Sequence, residues 1–183
     1  MKKALLLIDC QYDFIDGGSL AALGSLPVMD ALADYISSCS KKDVYNHVIM
    51  TADFHPFGHC SFKKWPAHCL QFTHGGAIYQ PVYEASLKLD SQAVILTKGN
   101  LKNKDEYSIL QNAKNGKKLL HLLDKWGIEE IDVCGICGDI CVLDTVKDLL
   151  KTKWRHQMKV LPQFSPSLDG GTALNKLIQD YNL

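Results

Sequence analysis

The chain has 183 residues, 46% of them apolar, and 20 Lys and Arg balance 20 Asp and Glu, giving a formal net charge of zero. That length suits one compact domain with a full core, spanning 1–183 with no repeat, linker or low-complexity tract. The balance excludes the basic stripe of a nucleic-acid binder and the polybasic face of a membrane-surface protein, and the apolar runs are far too short to span a bilayer.

The first element, "ALLLID" (4–9), follows two lysines in the manner of an export signal. Asp9 cuts the apolar run below the ~7–15 residues such a signal needs, so export is not expected and the reading is cytoplasmic. A helical pattern, "LPVMDALADYISSC" (26–39), comes next, then a second strand, "HVIMTAD" (47–53). A histidine-rich loop leads to a third strand, "AVILTKG" (93–99), and the polar stretch "NLKNKDEYS" reads as a loop within the domain. "GKKLLHLLDKWG" is a helix closed by a C-cap at Gly127, "IDVCGI" (131–136) a fourth strand, and "CVLDTVKDLLKTKW" the helix after it. A weaker strand, "QMKVLPQ" (157–163), and a last helix, "GTALNKLIQDYNL", complete the chain. The strands are continuously apolar rather than alternating, as in a parallel sheet covered on both faces. Strands alternating with helices predict an α/β fold, a doubly wound parallel sheet with helices on both faces. The seven cysteines are odd in number and several sit inside strands, which suits reduced thiols better than a disulfide framework.

Ligands of such sheets bind beyond the carboxyl ends of the strands. The first strand ends in Asp9, the second in Asp53 with His55 beyond it, the third in Lys98, and the fourth runs into Cys137 and Cys141. A strand-end aspartate alone is ordinarily a turn cap, and a strand-end lysine ordinarily faces water. On one shared edge they read as a pair, because a buried carboxylate without a cationic partner is costly. Cys141 begins the next helix with Asp139 as its expected N-cap, a position where backbone dipole and Lys98 both favour a thiolate. Asp9 can accept the thiol proton, giving a nucleophile, a base and a cation that orients them. Cys137 competes for the nucleophile's role. Cys134 reads as a core residue, and a Cys134–Cys137 redox pair is disfavoured because its first cysteine lies within a strand.

"TADFHPFGHCSFKKWPAHCLQF" (51–72) holds Asp53, His55, His59 and His68, with Cys60 and Cys69 interleaved. One histidine would be structural. An Asp-x-His followed by two more histidines within a short loop is better explained by a divalent metal, with the two cysteines as alternative zinc thiolates. His47, His121 and His156 read as structural or exposed.

Together, "LLIDCQYDFIDGGSL", "TADFHPFGHCSF", "WPAHC", "TKG", "DEYS" and "CGICGDICVLDT" resemble the nicotinamidase branch of the isochorismatase-like cysteine hydrolases along essentially the whole chain. The resemblance implies hydrolysis of nicotinamide to nicotinate and ammonia, in NAD salvage. It implies a catalytic triad of Asp9, Lys98 and Cys141. It implies one divalent ion, zinc first with iron or manganese as alternatives, on Asp53, His55 and His68, with His59 a direct ligand or a holder of the ion's water. Phe14 and Trp65 correspond to aromatics that sandwich the pyridine ring, and Tyr107 to a tyrosine near the substrate mouth. Ile136 and Cys137 correspond to the family's non-proline cis peptide, with the Cys137 and Cys141 amides facing a developing oxyanion. Two departures stand out: relatives more often carry a hydroxyl or methyl side chain at the position of Gly138, which predicts a looser turn here, and "FTHGG" replaces the usual "GTPGA" at the outer mouth. A hydrolase of another small amide or carbamoyl compound, and an inactive metal-binding or thiol protein on the same scaffold, are the rival readings. The implied partner is a small molecule, and a homo-oligomer is compatible with the sequence.

Overall fold

A computed structural model of the chain describes residues 1–40 and 44–183. Five parallel strands form one sheet: β1 (Lys3–Ile8), β2 (His47–Asp53), β3 (Val94–Lys98), β4 (Glu130–Gly135) and β5 (Met158–Val160), in the order β3-β2-β1-β4-β5. The helices are α1 (Ser25–Ser40), α2 (Gln80–Leu89), α3 (Asn115–Trp126), α4 (Leu143–Leu149) and α5 (Thr172–Tyr181). The strand order reverses at β1, so the crevice at the sheet's carboxyl edge opens between β1 and β4.

The central strand shows why continuous apolarity is required. Leu5 and Leu7 of β1 pack with Val48 and Met50 of β2 against Met29, Leu32 and Ile36 of α1 and Val82 of α2. Ala4, Leu6 and Ile8 point the other way, with Ile49 and Val133, onto Leu119 and Leu123 of α3 and Val146 and Leu149 of α4. Each fully buried Leu or Ile contributes roughly 1.5–3 kcal/mol, so both faces hold the sheet in register.

α1 starts where the Asp16 carboxylate accepts the backbone N–H of Gly24 and of Leu26, each at 2.8 Å. α3 ends, as its sequence predicts, with Gly127 left-handed at φ 64°. Three elements depart from expectation. α2 lies in a stretch with no predicted element, although Pro81 in its first turn and the buried pair Val82 and Ala85 are helix signals. The helix expected to begin at Cys141 begins instead at Leu143, because Gly138–Val142 form a π-helical turn, and it ends at Leu149 rather than running to Trp154. β5 keeps only Met158–Val160, since Pro162 starts a separate turn. No helix among the described residues is long and apolar enough to cross a membrane.

Candidate active site

Asp9 leaves β1 in a left-handed conformation at φ 47°. Its N–H donates to the Thr51 carbonyl at 3.2 Å, and the Thr51 hydroxyl donates to its carboxylate at 2.6 Å. Lys98, at the end of β3, is fully buried and reaches across β2. Its Nζ lies 2.8 Å from Asp9, 2.6 Å from Asp53, 3.7 Å from the Cys141 sulfur and 3.2 Å from the Glu106 carbonyl. The three groups expected to cooperate are therefore brought together around one ammonium.

Burial sets the charge states. It lifts the Cys141 thiol well above the ordinary range, and the nearby Asp9 and Asp53 carboxylates add to what Lys98 only partly offsets. Burial also raises Asp9, against the pull of Lys98. Asp53 moves the other way: burial opposes its charge, but Lys98 and His55 outweigh burial and hold the carboxyl well below the usual range. Burial alone would lower Lys98, but Asp53, Asp9 and Cys141 hold its pKa well above normal. Burial and the two carboxylates thus work against a thiolate at Cys141 while Lys98 works for one, a balance that the expectation of a thiolate favoured by the helix end left out. Asp139 does not cap a helix either, since its carboxylate accepts the backbone N–H of Leu168 at 3.0 Å and of Asp169 at 3.2 Å.

Asp53, His55 and His68 each offer one ligand atom, all within 4.8 Å of one another. The local chain explains the approach. The segment carrying His68 runs parallel to that carrying His55, through His55 N–H to the Cys69 carbonyl and Gln71 N–H to the His55 carbonyl, each 3.0 Å. His55 Nδ1 is 3.1 Å from the Gly99 carbonyl and His68 Nδ1 2.7 Å from the Pro66 carbonyl, which leaves Nε2 of each ring for an ion. Gly99 must be glycine: its φ is +64°, and a Cβ there would lie 2.5 Å from His55 Nδ1. Burial lowers the pKa of His68 and so favours the neutral ring a metal needs. This carboxylate–imidazole trio, with its outer nitrogens already satisfied, fits a divalent ion.

His59 does not join the trio. It stacks on His55 at 4.0 Å between ring centroids, but its Nδ1 is 2.7 Å from the Ser61 hydroxyl and its Nε2 3.0 Å from the Lys104 carbonyl. Both nitrogens therefore have protein partners in this arrangement, and the ring stands beside the trio as a neighbour of His55. Cys60 and Cys69 are likewise outside the cluster, and Cys69 is fully buried.

Above these groups lies a pocket whose lining includes Phe14, Trp65, Tyr107, Ile136, Cys137 and Cys141, all expected at the site. The peptide between Ile136 and Cys137 is cis. Trp65 Nε1 donates to the Tyr107 hydroxyl at 3.2 Å, joining two of the walls. The Cys137 sulfur turns away to the Pro166 carbonyl at 3.5 Å, and burial pushes its thiol up to about 12. That orientation favours Cys141 over Cys137 as the nucleophile.

Sequence reasoning missed several residues. Gln11, fully buried, clamps the backbone of Asp53 by accepting its N–H at 2.7 Å and donating to its carbonyl at 2.8 Å. Leu20, Ala22, Ile140 and Leu168 also line the cavity. No local signal marks these four, because all are ordinary apolar residues in loops or turns. The "FTHGG" loop is not part of the lining; the His74 ring lies tilted against that of Tyr12 at 4.0 Å between centroids, and the Gly75 carbonyl accepts the Asp13 N–H at 3.0 Å.

The fold and the site together define a class. The isochorismatase domain family matches residues 3–152, and the chain belongs to that family. A relative named nicotinamidase/pyrazinamidase, from Mycobacterium tuberculosis, is 35% identical over 159 residues, covering 81% of this chain and 79% of the relative. A nicotinamidase of Escherichia coli is 29% identical over 176 residues, covering 84% and 78%. Among solved structures, the pyrazinamidase of Pyrococcus horikoshii in complex with zinc superposes with a TM-score of 0.78 at 25% identity, over 100% of this chain and 95% of that one. PnC1 from L. infantum in complex with nicotinate gives 0.80 at 26% identity, over 100% and 90%.

Proposed function

We propose that the chain is a nicotinamidase, a metal-dependent cysteine amidohydrolase that converts nicotinamide and water to nicotinate and ammonia. The observation that carries this reading is the convergence of Asp9, Cys141 and Asp53 on the buried Lys98 ammonium, under a cavity walled by Phe14, Trp65 and Tyr107. The relatives named above support the choice of substrate.

Phe14 and Trp65 hold the flat ring, and the amide carbon is placed against the Cys141 sulfur. A divalent ion on Asp53, His55 and His68, zinc in the first instance, supplies when bound a site for the pyridine nitrogen and for water. Asp9 takes the Cys141 proton, and Lys98 stabilises the sulfur as it becomes an anion. That thiolate attacks the amide carbon, and the Cys137 and Cys141 amides receive the oxyanion. Asp9 returns the proton to the amide nitrogen, so that ammonia leaves and a thioester remains on Cys141. Asp9, ionised again, takes a proton from water; the water oxygen bonds to the acyl carbon and the thioester bond breaks. Nicotinate leaves and the thiol is restored.

The test is ammonia release from a panel of nicotinamide and unrelated small amides and carbamoyl compounds, with and without chelator. Turnover of nicotinamide that chelator suppresses is expected. Turnover of a different amide with none of nicotinamide overturns the assignment in favour of another hydrolase of the family.

A further inference from the structure

The segment 165–169 lies beyond the residues matched by the family, yet it reaches the substrate cavity through Leu168. Leu168 is 54% exposed, and how far its side chain reaches over the pocket mouth depends on where its backbone is held. Here it is held from both sides. The Asp139 carboxylate accepts the N–H of Leu168 and of Asp169, and the Gly138 N–H donates to the Pro166 carbonyl at 2.8 Å. At the other end, the Asp169 carboxylate accepts the N–H of Gly171 and of Ala173, each at 2.8 Å, at the start of α5. Gly138 lets the segment come down: a Cβ there would collide with the Ser167 hydroxyl and lie 2.6 Å from the Ser165 carbonyl. The glycine expected to loosen the turn is therefore where this segment packs closely against it.

We propose that Leu168 is a specificity-determining residue that limits ring substitution on the substrate, and that Asp139 is the positioning residue that keeps it there. The substrate class is then six-membered aromatic carboxamides carrying nothing larger than hydrogen where Leu168 meets the ring. This rests on the nicotinamidase reading of the same cavity.

The experiment compares kcat and KM for nicotinamide and its 2-, 4-, 5- and 6-methyl derivatives in the unaltered chain, Leu168→Ala, Asp139→Ala and Asp139→Asn. At least one methyl derivative should gain about tenfold or more in kcat/KM relative to nicotinamide in Leu168→Ala and Asp139→Ala, the usual weight of one methyl group in an apolar pocket. The gain should lie mainly in KM. Asp139→Asn should recover part of the discrimination, because its amide oxygen still accepts one of the two N–H groups. An unchanged ratio for every methyl position in Leu168→Ala, a substitution at a half-exposed side chain, overturns the proposal even if Asp139→Ala does not fold. If the unaltered chain hydrolyses no nicotinamide, the functional reading fails but the wall is still measurable. Cys141 alkylation by N-phenylmaleimide relative to iodoacetamide, read on the Cys141 peptide, should rise several-fold in Leu168→Ala, and an unchanged ratio counts against the wall.

Discussion

Lys98 is the residue on which the rest of the site depends, because one fully buried ammonium serves Asp9, Asp53 and Cys141 at once. Cys141→Ala should lower ammonia release by roughly 10³-fold or more while leaving the melting temperature and bound metal nearly unchanged. Residual turnover close to that of the unaltered chain would move the nucleophile to Cys137. Asp9→Asn should be almost as damaging, since an amide cannot take the thiol proton. The pH dependence has a definite sign. Burial lifts Cys141 well above an ordinary thiol, so in the substrate-free enzyme less thiolate exists at any given pH. Iodoacetamide labelling of Cys141 should keep climbing above pH ~8.5 instead of levelling off near neutrality. A plateau below pH 7 would show a resting thiolate–ammonium pair and contradict this picture.

The elements that carry the site are held by side chains from outside it. Glu106 ties the end of β3 to the loop that follows: its carboxylate accepts the Gly99 N–H at 2.9 Å and the Asn112 amide at 2.8 Å and pairs with Lys104 at 2.6 Å. Burial opposes the charge, but Lys104, Asn112 and the Gly99 N–H outweigh it and lower the pKa. A group depressed in the folded state stabilises it above the unfolded value, about 4.3, and that contribution is lost as pH falls through the folded value. Glu106→Gln should therefore cost about 1–3 kcal/mol at pH 7, and its deficit against the unaltered chain should shrink as pH drops below ~4. Denaturant unfolding from pH 7 to pH 3 measures this, and a deficit independent of pH would assign the effect to shape instead of charge. Because Gly99 also meets His55, the variant should hold metal more weakly as well.

At the scale of the molecule, stability and activity rest on different parts. The sheet is buried on both faces independently of the site, so Leu6→Ala, at a position with no exposure in the central strand, should cost about 2–5 kcal/mol in denaturant unfolding. Removal of metal should do the reverse. About one divalent ion per chain is expected by elemental analysis, and chelation should weaken nicotinamide binding far more than it lowers the melting temperature. A double substitution of His55 and His68 to alanine that keeps full turnover, in protein isolated without metal, would contradict the ion's role.

The sequence by itself determined the layered architecture and which ionisable groups stand at the strand ends. Both follow from short-range physics: strands covered on two faces must be continuously apolar, and Asp9, Asp53 and Lys98 stand out because each breaks such a run where a parallel sheet exposes its carboxyl edge. The C-cap at Gly127 was legible for the same reason, since a left-handed residue after a helix favours glycine. Only the tertiary structure decided how those groups share charge and space. Whether Cys141 rests as thiol or thiolate depends on burial and on three neighbours contributed by separate strands. Whether His59 ligates depends on the Ser61 hydroxyl and the Lys104 carbonyl already occupying its nitrogens. Asp139 looked like a cap by local rule, but a chain segment nearly thirty residues onward takes its carboxylate, and no periodicity in the sequence encodes that meeting. Local pattern reports what each residue can do, whereas long-range packing selects the partner with which it does it.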